Sequence, residues 1–350
     1  MFRYIGNKTK LLPVLMEEIS GSVPRGSTVA DLMAGTGSVS LALRKNGYRV
    51  IASDIMTYSK HHLVTQLLFA SPPEFRLLQG ELGRETEGSM YRAVLAHLNA
   101  LSPKEGYFHQ EFSPGGKPAN GTPARKYFTS ANAQRIDAIR EKINDWIGAG
   151  LITQAEESVL KHTLIMAVNE VANISGTYGY FLSDFTRSAC NTLTLIPVSF
   201  DAEGGVYHRV LQGFAEKLAG DITADLCYID PPYMKRQYAA NYHILETIAR
   251  GDCPEAIGKS GLRDWWDQHS KFCTKTKIKD SFRTVLSTMN CPLFLISYSE
   301  DGLLSIDELV SLFESFGQVN TKIVEYARFR SNNSPLEKNI DEYLIKVTKG

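Results

Sequence analysis

The sequence predicts an α/β fold, in which a mostly parallel sheet ends in a C-terminal antiparallel hairpin and carries a large, mainly helical insertion. Residues 27–54 alternate strand, glycine turn, helix and strand, a βαβ unit whose two strands must pair in parallel. The next clear strand of this kind, "LCYID" at 226–230, follows only after a long interval with helical periodicity. Near the carboxyl end, two strand-like segments lie too close together for a parallel crossover. These three observations define the predicted architecture.

The βαβ unit begins with the segment "STVADLMAGTGSVSLALRKNGY". A first strand ends at Asp31, a turn containing Gly35 and Gly37 follows, and a helix continues to Gly47 as its stop signal. The segment "RVIASD", residues 49–54, is the second strand. Because parallel sheets bind ligands beyond the carboxyl ends of their strands, both strand ends are candidate sites.

The interval between the two groups of strands is predicted to be mainly helical. Apolar periodicity around Met90–Leu101 indicates one helix. Two longer helices are predicted at 130–150 and 153–173, and Ser130 or Asn132 would cap the first of them. The insertion therefore forms a module of its own.

The carboxyl-terminal part returns to alternating helices and strands. A helix at 279–289 precedes the buried strand "CPLFLISYS". The amphipathic segment "SIDELVSLFESF" predicts a helix that Ser305 caps, with Glu308 completing a capping box. The antiparallel hairpin consists of strands at 321–329 and 341–349.

The composition is that of an ordinary globular protein. Of the 350 residues, 43% are hydrophobic and 22% charged, and 38 basic residues balance 38 acidic ones. No stretch has the apolar length of a signal peptide or a membrane span, so a cytoplasmic protein is expected.

Five cysteines without a CxxC pair indicate neither a zinc site nor a disulfide framework. Zero net charge counts mildly against a nucleic-acid partner, but basic residues outnumber acidic ones between 235 and 283, as they also would on a solvated helix face.

The turn after the first strand is a candidate cofactor site. Gly35 and Gly37 lack side chains where the backbone would approach a ligand, and the following helix offers the positive end of its dipole. The third glycine of a GxGxxG pattern is missing. Asp54, at the end of the second strand, is suited to accept ribose hydroxyls, although a solvated acid or the cap of the next helix would give the same pattern.

Four short motifs occur in a fixed order: "RYIGNK" at 3–8, "DLMAGTG" at 31–37, "SDIM" at 53–56 and "DPPY" at 230–233. In this order and spacing they resemble the alpha-class (Dam-like) DNA adenine N6-methyltransferase family, and the resemblance extends over most of the chain. It implies a Rossmann-like methyltransferase sheet. Residues 1–70 and 215–350 would form the catalytic domain, and 71–214 an inserted helical and target-recognition module.

The resemblance implies S-adenosyl-L-methionine as the cofactor. The first motif would lie near the methionine end of the cofactor, the glycine turn beneath it and Asp54 on its ribose. Two residues depart from the family pattern, since Tyr4 stands where tryptophan is usual and Asn7 where glycine is usual. The implied cofactor-binding residues are Tyr4, Gly6, Asn7, Lys8, Asp31, Gly35, Thr36, Gly37, Ser38, Asp54, Ile55 and Asp230.

The segment "CYIDPPYMKRQY" contains the predicted catalytic group. Adenine's exocyclic amine is a poor nucleophile because its lone pair is delocalised into the ring. The Asp230 carboxylate and the Pro231 carbonyl can each accept one amine hydrogen, which localises the lone pair, and the carboxylate stabilises developing positive charge. Pro231 and Pro232 stiffen this geometry, and Tyr233 offers a face for stacking a flipped base. No metal is needed. The alternative is an ordinary strand end followed by a proline turn.

The insertion is predicted to read the sequence of double-stranded DNA. The stretch 174–198 favours a hairpin or an irregular loop, and with Asn173 it resembles a hairpin element of the family. Asparagine and arginine can form paired hydrogen bonds to adenine and guanine edges, and lysine and arginine can hold phosphates. A loop packed on its own domain is the alternative. The candidate DNA contacts are Arg125, Lys126, Asn173, Tyr178, Arg187, Lys235, Arg236 and Tyr238.

The predicted function is therefore transfer of a methyl group to the N6 amine of a flipped adenine in duplex DNA, at a specific sequence. Methylation of another planar amine (cytosine N4, RNA adenine or a protein glutamine) is an open alternative, as is a catalytically silent DNA-binding protein. A nicotinamide oxidoreductase would leave "DPPY" unexplained. A monomer is expected. The sequence leaves open the recognition site and whether a cognate restriction endonuclease accompanies the protein.

Overall fold

The computed structural model describes residues 8–83, 89–200, 207–232, 234–235, 237–327 and 339–350. The chain divides into two compact units. Unit 1 contains Val64–Ala202 and Ala239–Asp267, and unit 2 contains Gly6–Leu63, Glu203–Tyr238 and Gln268–Gly350. The boundaries at 70 and 215 that the sequence predicted differ from these, chiefly because 239–267 belongs to unit 1.

Unit 2 is built on a single sheet. Its strands are β1 (Thr28–Asp31), β2 (Arg49–Asp54), β3 (Arg209–Gln212), β4 (Leu226–Ile229), β5 (Leu293–Ser299), β6 (Gly317–Ala327) and β7 (Asn339–Lys349). Within the described residues, the order across the sheet is β3-β2-β1-β4-β5-β7-β6. The pairs from β3 to β5 are parallel, and β7 runs antiparallel to both β5 and β6. The predicted sheet type is confirmed, and the hairpin strand β7 is inserted between β5 and β6.

The α-helices are distributed over both units. In chain order they are α1 (Leu12–Ser20), α2 (Ser38–Lys45), α3 (Thr57–Leu68), α4 (Gln79–Leu82), α5 (Met90–Asn99), α6 (Tyr107–Phe112), α7 (Ser130–Gly148), α8 (Gln154–Val171), α9 (Ala215–Leu218), α10 (Tyr238–Asn241), α11 (His243–Arg250), α12 (Ile278–Thr288) and α13 (Ile306–Glu314). None of the described helices is both long and apolar enough to cross a membrane.

The main core of unit 2 lies between one face of the sheet and helices α12 and α13. Alternate strand residues such as Ile229, Ile296 and Val347 are buried in it, as the two-residue period of a strand requires. Phe282 of α12 packs edge-to-face on Phe313 of α13, with 5.2 Å between ring centroids. This packing holds the central strands rigidly, and their carboxyl ends carry the candidate site.

Strand β3 was not predicted from the sequence. Its four residues form one edge of the sheet beside β2, and none of them is fully buried. An edge strand this short lacks the apolar run that reveals a central strand, which explains why the sequence pattern missed it.

Unit 1 is mainly helical, and α7 and α8 pack against each other at its centre. Thr129, rather than Ser130 or Asn132, caps α7 by accepting the Asn132 N–H. In unit 2, the expected capping box of α13, formed by Ser305 and Glu308, is present.

Helix α11 explains why 239–267 joins unit 1. All but one of its eight residues are buried, and Lys161 of α8 donates to its Ala249 carbonyl at 2.7 Å. His243 contacts the Tyr178 carbonyl at 2.9 Å. The helix therefore packs within the insertion, although it follows the "DPPY" strand in sequence.

Candidate active site

The glycine turn after β1 has the backbone geometry that its sequence predicted. Gly35 has φ of 54° and Gly37 has φ of 83°, both in the left-handed region that favours glycine. The Ala34 N–H donates to the Ser53 carbonyl of β2 at 3.0 Å. Helix α2 then begins at Ser38. The turn is therefore fixed to the sheet at the position where the N-terminus of α2 is presented.

Asp54, at the end of β2, organises this turn. One carboxylate oxygen accepts the Gly35 N–H at 2.9 Å, and the other accepts the Met56 N–H at 2.8 Å. The alternative that this acid caps the next helix is thus partly correct, because Met56 directly precedes α3.

Asp31, at the end of β1, is buried, with 1% of its surface exposed. Its carboxylate accepts the Ser40 hydroxyl of α2 at 2.7 Å. Burial raises the pKa of Asp31 to about 7, the Ser40 hydrogen bond opposes this, and the charges of Asp230 and Asp54 add to it. Asp31 therefore interacts electrostatically with both other acids.

Asp230 directly follows β4, and Pro231 after it is buried while Pro232 is half-buried. The Lys8 ammonium lies 3.3 Å from the Asp230 carboxylate. Burial raises the pKa of Asp230 to about 7; Lys8 acts in the opposite direction and the nearby Glu342 carboxylate reinforces the rise. This carboxyl group is thus near the midpoint of its titration at neutral pH.

The sequence did not reveal two residues beside this carboxylate. Glu342 of β7 contacts the Lys8 ammonium and accepts the Ser297 hydroxyl of β5 at 2.6 Å. Glu342 and Ser297 are both buried. Neither residue stood out in the sequence, because β5 also contains Ser299 and β7 contains several other polar residues.

Asp31, Asp54 and Asp230 lie at the carboxyl ends of β1, β2 and β4, which are neighbours in the sheet. Lys8 lies beside Asp230, so acids predominate at this edge. Such an arrangement favours a positively charged ligand.

Four predicted residues, Tyr4, Gly6, Asn7 and Tyr233, lie outside the described residues, and so does Arg236.

Arg125 does not have the accessible position that a phosphate contact requires. Its side chain is fully buried and forms an ion pair with Glu111 at 2.8 Å. Its remaining N–H groups donate to Thr122 and to the backbone carbonyls of Glu111, Ala256, Gly258 and Lys259. The prediction of a phosphate contact is therefore corrected to a structural role.

Asn173 and Tyr178 are also fully buried. The Asn173 amide donates to the carbonyls of Lys126 and Leu182, both at 3.0 Å, and accepts the Thr186 N–H at 3.1 Å. The Tyr178 carbonyl accepts the Tyr127 hydroxyl at 2.8 Å. Both residues fix an irregular loop, which is the alternative the sequence left open, and the polar groups of Asn173 are not available to DNA bases.

The other described DNA candidates are accessible. Arg187 and Lys235 are exposed, and Lys126 and Tyr238 are half-buried. Lys126 donates to the Ser183 carbonyl at 2.9 Å, which leaves its ammonium with further hydrogens to donate.

The structure has a Rossmann-like methyltransferase fold. In its sheet, β7 alone runs antiparallel to its neighbours. A glycine turn follows β1, and acids stand at the ends of the central strands. The chain belongs to the D12 class N6 adenine-specific DNA methyltransferase family, whose family model matches residues 4–312. This confirms the resemblance seen in the motifs. The protein is accordingly an adenine-specific DNA methyltransferase.

Curated relatives agree with this assignment. The chain is 34% identical to the Type II methyltransferase M.NlaIII of Neisseria lactamica over 95% of its own length and 93% of that protein. It is 30% identical to the Type II methyltransferase M.CviAII of Paramecium bursaria Chlorella virus 1, covering 98% and 97%. It is 34% identical to the modification methylase LlaI of Lactococcus lactis subsp. lactis over 99% of its length, but spans only 55% of that protein.

Proposed function

We propose that the protein uses S-adenosyl-L-methionine to methylate the N6 amine of an adenine flipped out of duplex DNA, at a short specific sequence. The observation that carries this proposal is the environment of Asp230. Its carboxylate follows β4 directly, precedes the buried Pro231, and lies 3.3 Å from the Lys8 ammonium. A carboxyl group with a pKa of about 7 is a stronger acceptor than an ordinary aspartate.

The residues at the strand ends are suited to the proposed cofactor. When bound, S-adenosyl-L-methionine supplies an electrophilic methyl group on a positively charged sulfonium. The acids Asp31, Asp54 and Asp230 favour a cation at this edge, and Asp54, at the end of β2, has the position from which an acid accepts ribose hydroxyls in this kind of fold. The Gly35–Gly37 turn would let the backbone approach the ligand closely. The proposed set also includes Tyr4, Gly6, Asn7, Lys8, Thr36, Ser38 and Ile55.

Amine activation is assigned to Asp230 and Pro231. The ionised carboxylate and the proline carbonyl would each accept one amine hydrogen, and the carboxylate would stabilise the positive charge that develops on nitrogen. Two consecutive prolines restrict the backbone that carries both acceptors. The flipped base would stack on Tyr233.

Binding to duplex DNA is assigned to the accessible cations. Lys126, Arg187 and Lys235 can reach phosphates or base edges without breaking a buried hydrogen-bond network. Arg236 and Tyr238, next to the catalytic segment, complete the proposed contacts. Because relatives carry the names "Type II methyltransferase" and "modification methylase", we assign the protein to a restriction-modification context.

The test uses labelled S-adenosyl-L-methionine, unmethylated genomic DNA and single-molecule sequencing of the product. N6-methyladenine confined to one short motif is the expected result, and Asp230→Ala should abolish it. N4-methylcytosine as the product would overturn the choice of base. An absence of labelled DNA would redirect the search to RNA or protein acceptors.

A further inference from the structure

Strand β7 contributes a buried charge beside the proposed catalytic acid. The Glu342 side chain is 4% exposed, and its carboxylate forms an ion pair with Lys8. Ser297 of β5 donates its hydroxyl to the same Glu342 oxygen at 2.6 Å. Ser297, Glu342 and Lys8, which are distant in the chain, are thus linked by direct contacts beside Asp230.

The charges in this cluster do not balance. One ammonium, Lys8, lies between two carboxylates, so the three side chains carry a net charge of −1 when all are ionised. A pair of Lys8 and Asp230 alone would be neutral. Buried carboxylates are costly, so an extra one beside the reacting group requires an explanation.

We infer that Glu342 is a positioning residue, which holds Lys8 against Asp230 while keeping the cluster negative where positive charge develops on the amine. The inference rests on the proposed function. It gives β7 a part in the reaction although Glu342 does not touch the substrate. Ser297 supports it by fixing the orientation of the Glu342 carboxylate.

An electrostatic role of Glu342 can be distinguished from a purely structural role by its effect on the pKa of Asp230. The ionisable groups that change the pKa of Asp230 are Lys8 and Glu342. The charge of Asp230 in turn raises the pKa values of Asp31 and Tyr228. Glu342→Gln keeps an oxygen that can accept a hydrogen bond from Lys8, so the ammonium stays in place and only one charge in this set changes. Because the Glu342 charge raises the pKa of Asp230, its removal should lower that pKa.

The experiment measures kcat and KM of the full chain as a function of pH, with unmethylated DNA as substrate. For Glu342→Gln, we expect kcat on the alkaline plateau of its pH profile to fall about tenfold. The acidic limb of the same profile, where kcat rises with pH, should move to lower pH. Affinity for S-adenosyl-L-methionine, measured by calorimetry, should change little. Glu325→Gln on the neighbouring strand β6 is the matched control, because Glu325 is exposed.

A Glu342→Gln variant with a lowered Tm but an unchanged kcat and acidic limb would overturn the inference and leave only a structural role. Activity in the wild type shows that the proposed function holds in that case. A wild-type protein without methyladenine product would overturn both. Glu342→Asp guards against a misfolded variant: it keeps the charge, so its acidic limb should stay in place, and a limb moved to lower pH would contradict the inference.

Discussion

The two units of this protein bury charged side chains in opposite ways. In unit 1, Arg125 and Glu111 form one ion pair, and every guanidinium nitrogen of Arg125 has an acceptor. In unit 2, the buried Asp31 and the half-buried Asp230 each have a pKa raised to about 7. The first arrangement is neutral and saturated, whereas the second keeps an excess of negative charge.

This difference distinguishes residues that stabilise the fold from residues that take part in the reaction more reliably than residue type does. A saturated ion pair has no spare capacity to respond to a ligand, so Arg125 stabilises the fold. Carboxyl groups near their titration midpoint respond strongly to an approaching cation or amine. Perturbed acids at strand ends are therefore the better guide to the active site than buried arginines.

The largest expected effect is on catalysis. Asp230→Ala should reduce kcat by about a thousandfold or more, because it removes an acceptor that acts in the transition state. Unfolding by denaturant should show little loss of stability, since a desolvated carboxylate is removed. A strong loss of stability together with modest loss of kcat would place Asp230 with the structural charges of unit 1.

The reverse is expected for Arg125. Arg125→Ala leaves Glu111 buried without its cation and should lower the free energy of unfolding by about 3 kcal/mol or more. Lys126→Ala, the neighbouring half-buried lysine, is the control and should change stability by less than about 0.5 kcal/mol. Equal effects in the two variants, measured by urea denaturation, would contradict the saturated-network interpretation.

The pH dependence of kcat tests the raised pKa of Asp230. The proposed mechanism needs the ionised carboxylate, so kcat should rise with pH up to about 7 and then level off. Below the midpoint, each pH unit should cost about tenfold in rate. A profile that is flat down to pH 5 would mean that the carboxyl group titrates as an ordinary aspartate.

Exposed cations should affect DNA binding rather than stability. Lys235→Ala is expected to weaken DNA binding a few fold and to reduce the slope of log affinity against log salt by about 1. Titrations at several salt concentrations measure this slope. An unchanged slope would remove Lys235 from the proposed DNA surface, and Arg187→Ala can be tested in parallel.

The pH dependence of stability tests the raised pKa of Asp31. The pKa of Asp31 in the folded protein is about 7, against an ordinary value of 3.8 for aspartate. The folded state therefore holds the proton more tightly, and stability falls as pH rises between these values. Asp31→Asn should gain roughly 4 kcal/mol at pH 8 and nothing below pH 4. An equal gain at both pH values would point to packing instead.

Much of the fold was predictable because its signals are local. The glycines of the turn, the capping box of Ser305 and Glu308, and the apolar strands β4 and β5 each depend on neighbouring residues only. The short edge strand β3 has no such signal. The role of 239–267 was also hidden, because the partner helix of α11 is far away in the sequence.

Within the candidate site, the sequence by itself determined the turn at Gly35 and Gly37, the strand-end acids and the position of Asp230 after β4. It also determined the family, since the motifs keep their order and spacing. Periodicity and backbone conformation are properties of short segments, so they can be recognised in the sequence without knowledge of distant contacts.

Only the tertiary structure decided which charges meet. Lys8 and Glu342 are 334 positions apart and still form an ion pair, while Arg125 and Asn173 turn inward although their residue types suit DNA recognition. Burial and partner choice depend on the packing of distant segments around a core. Those contacts set the pKa of Asp230, and they separate the residues available for DNA from those that hold the fold.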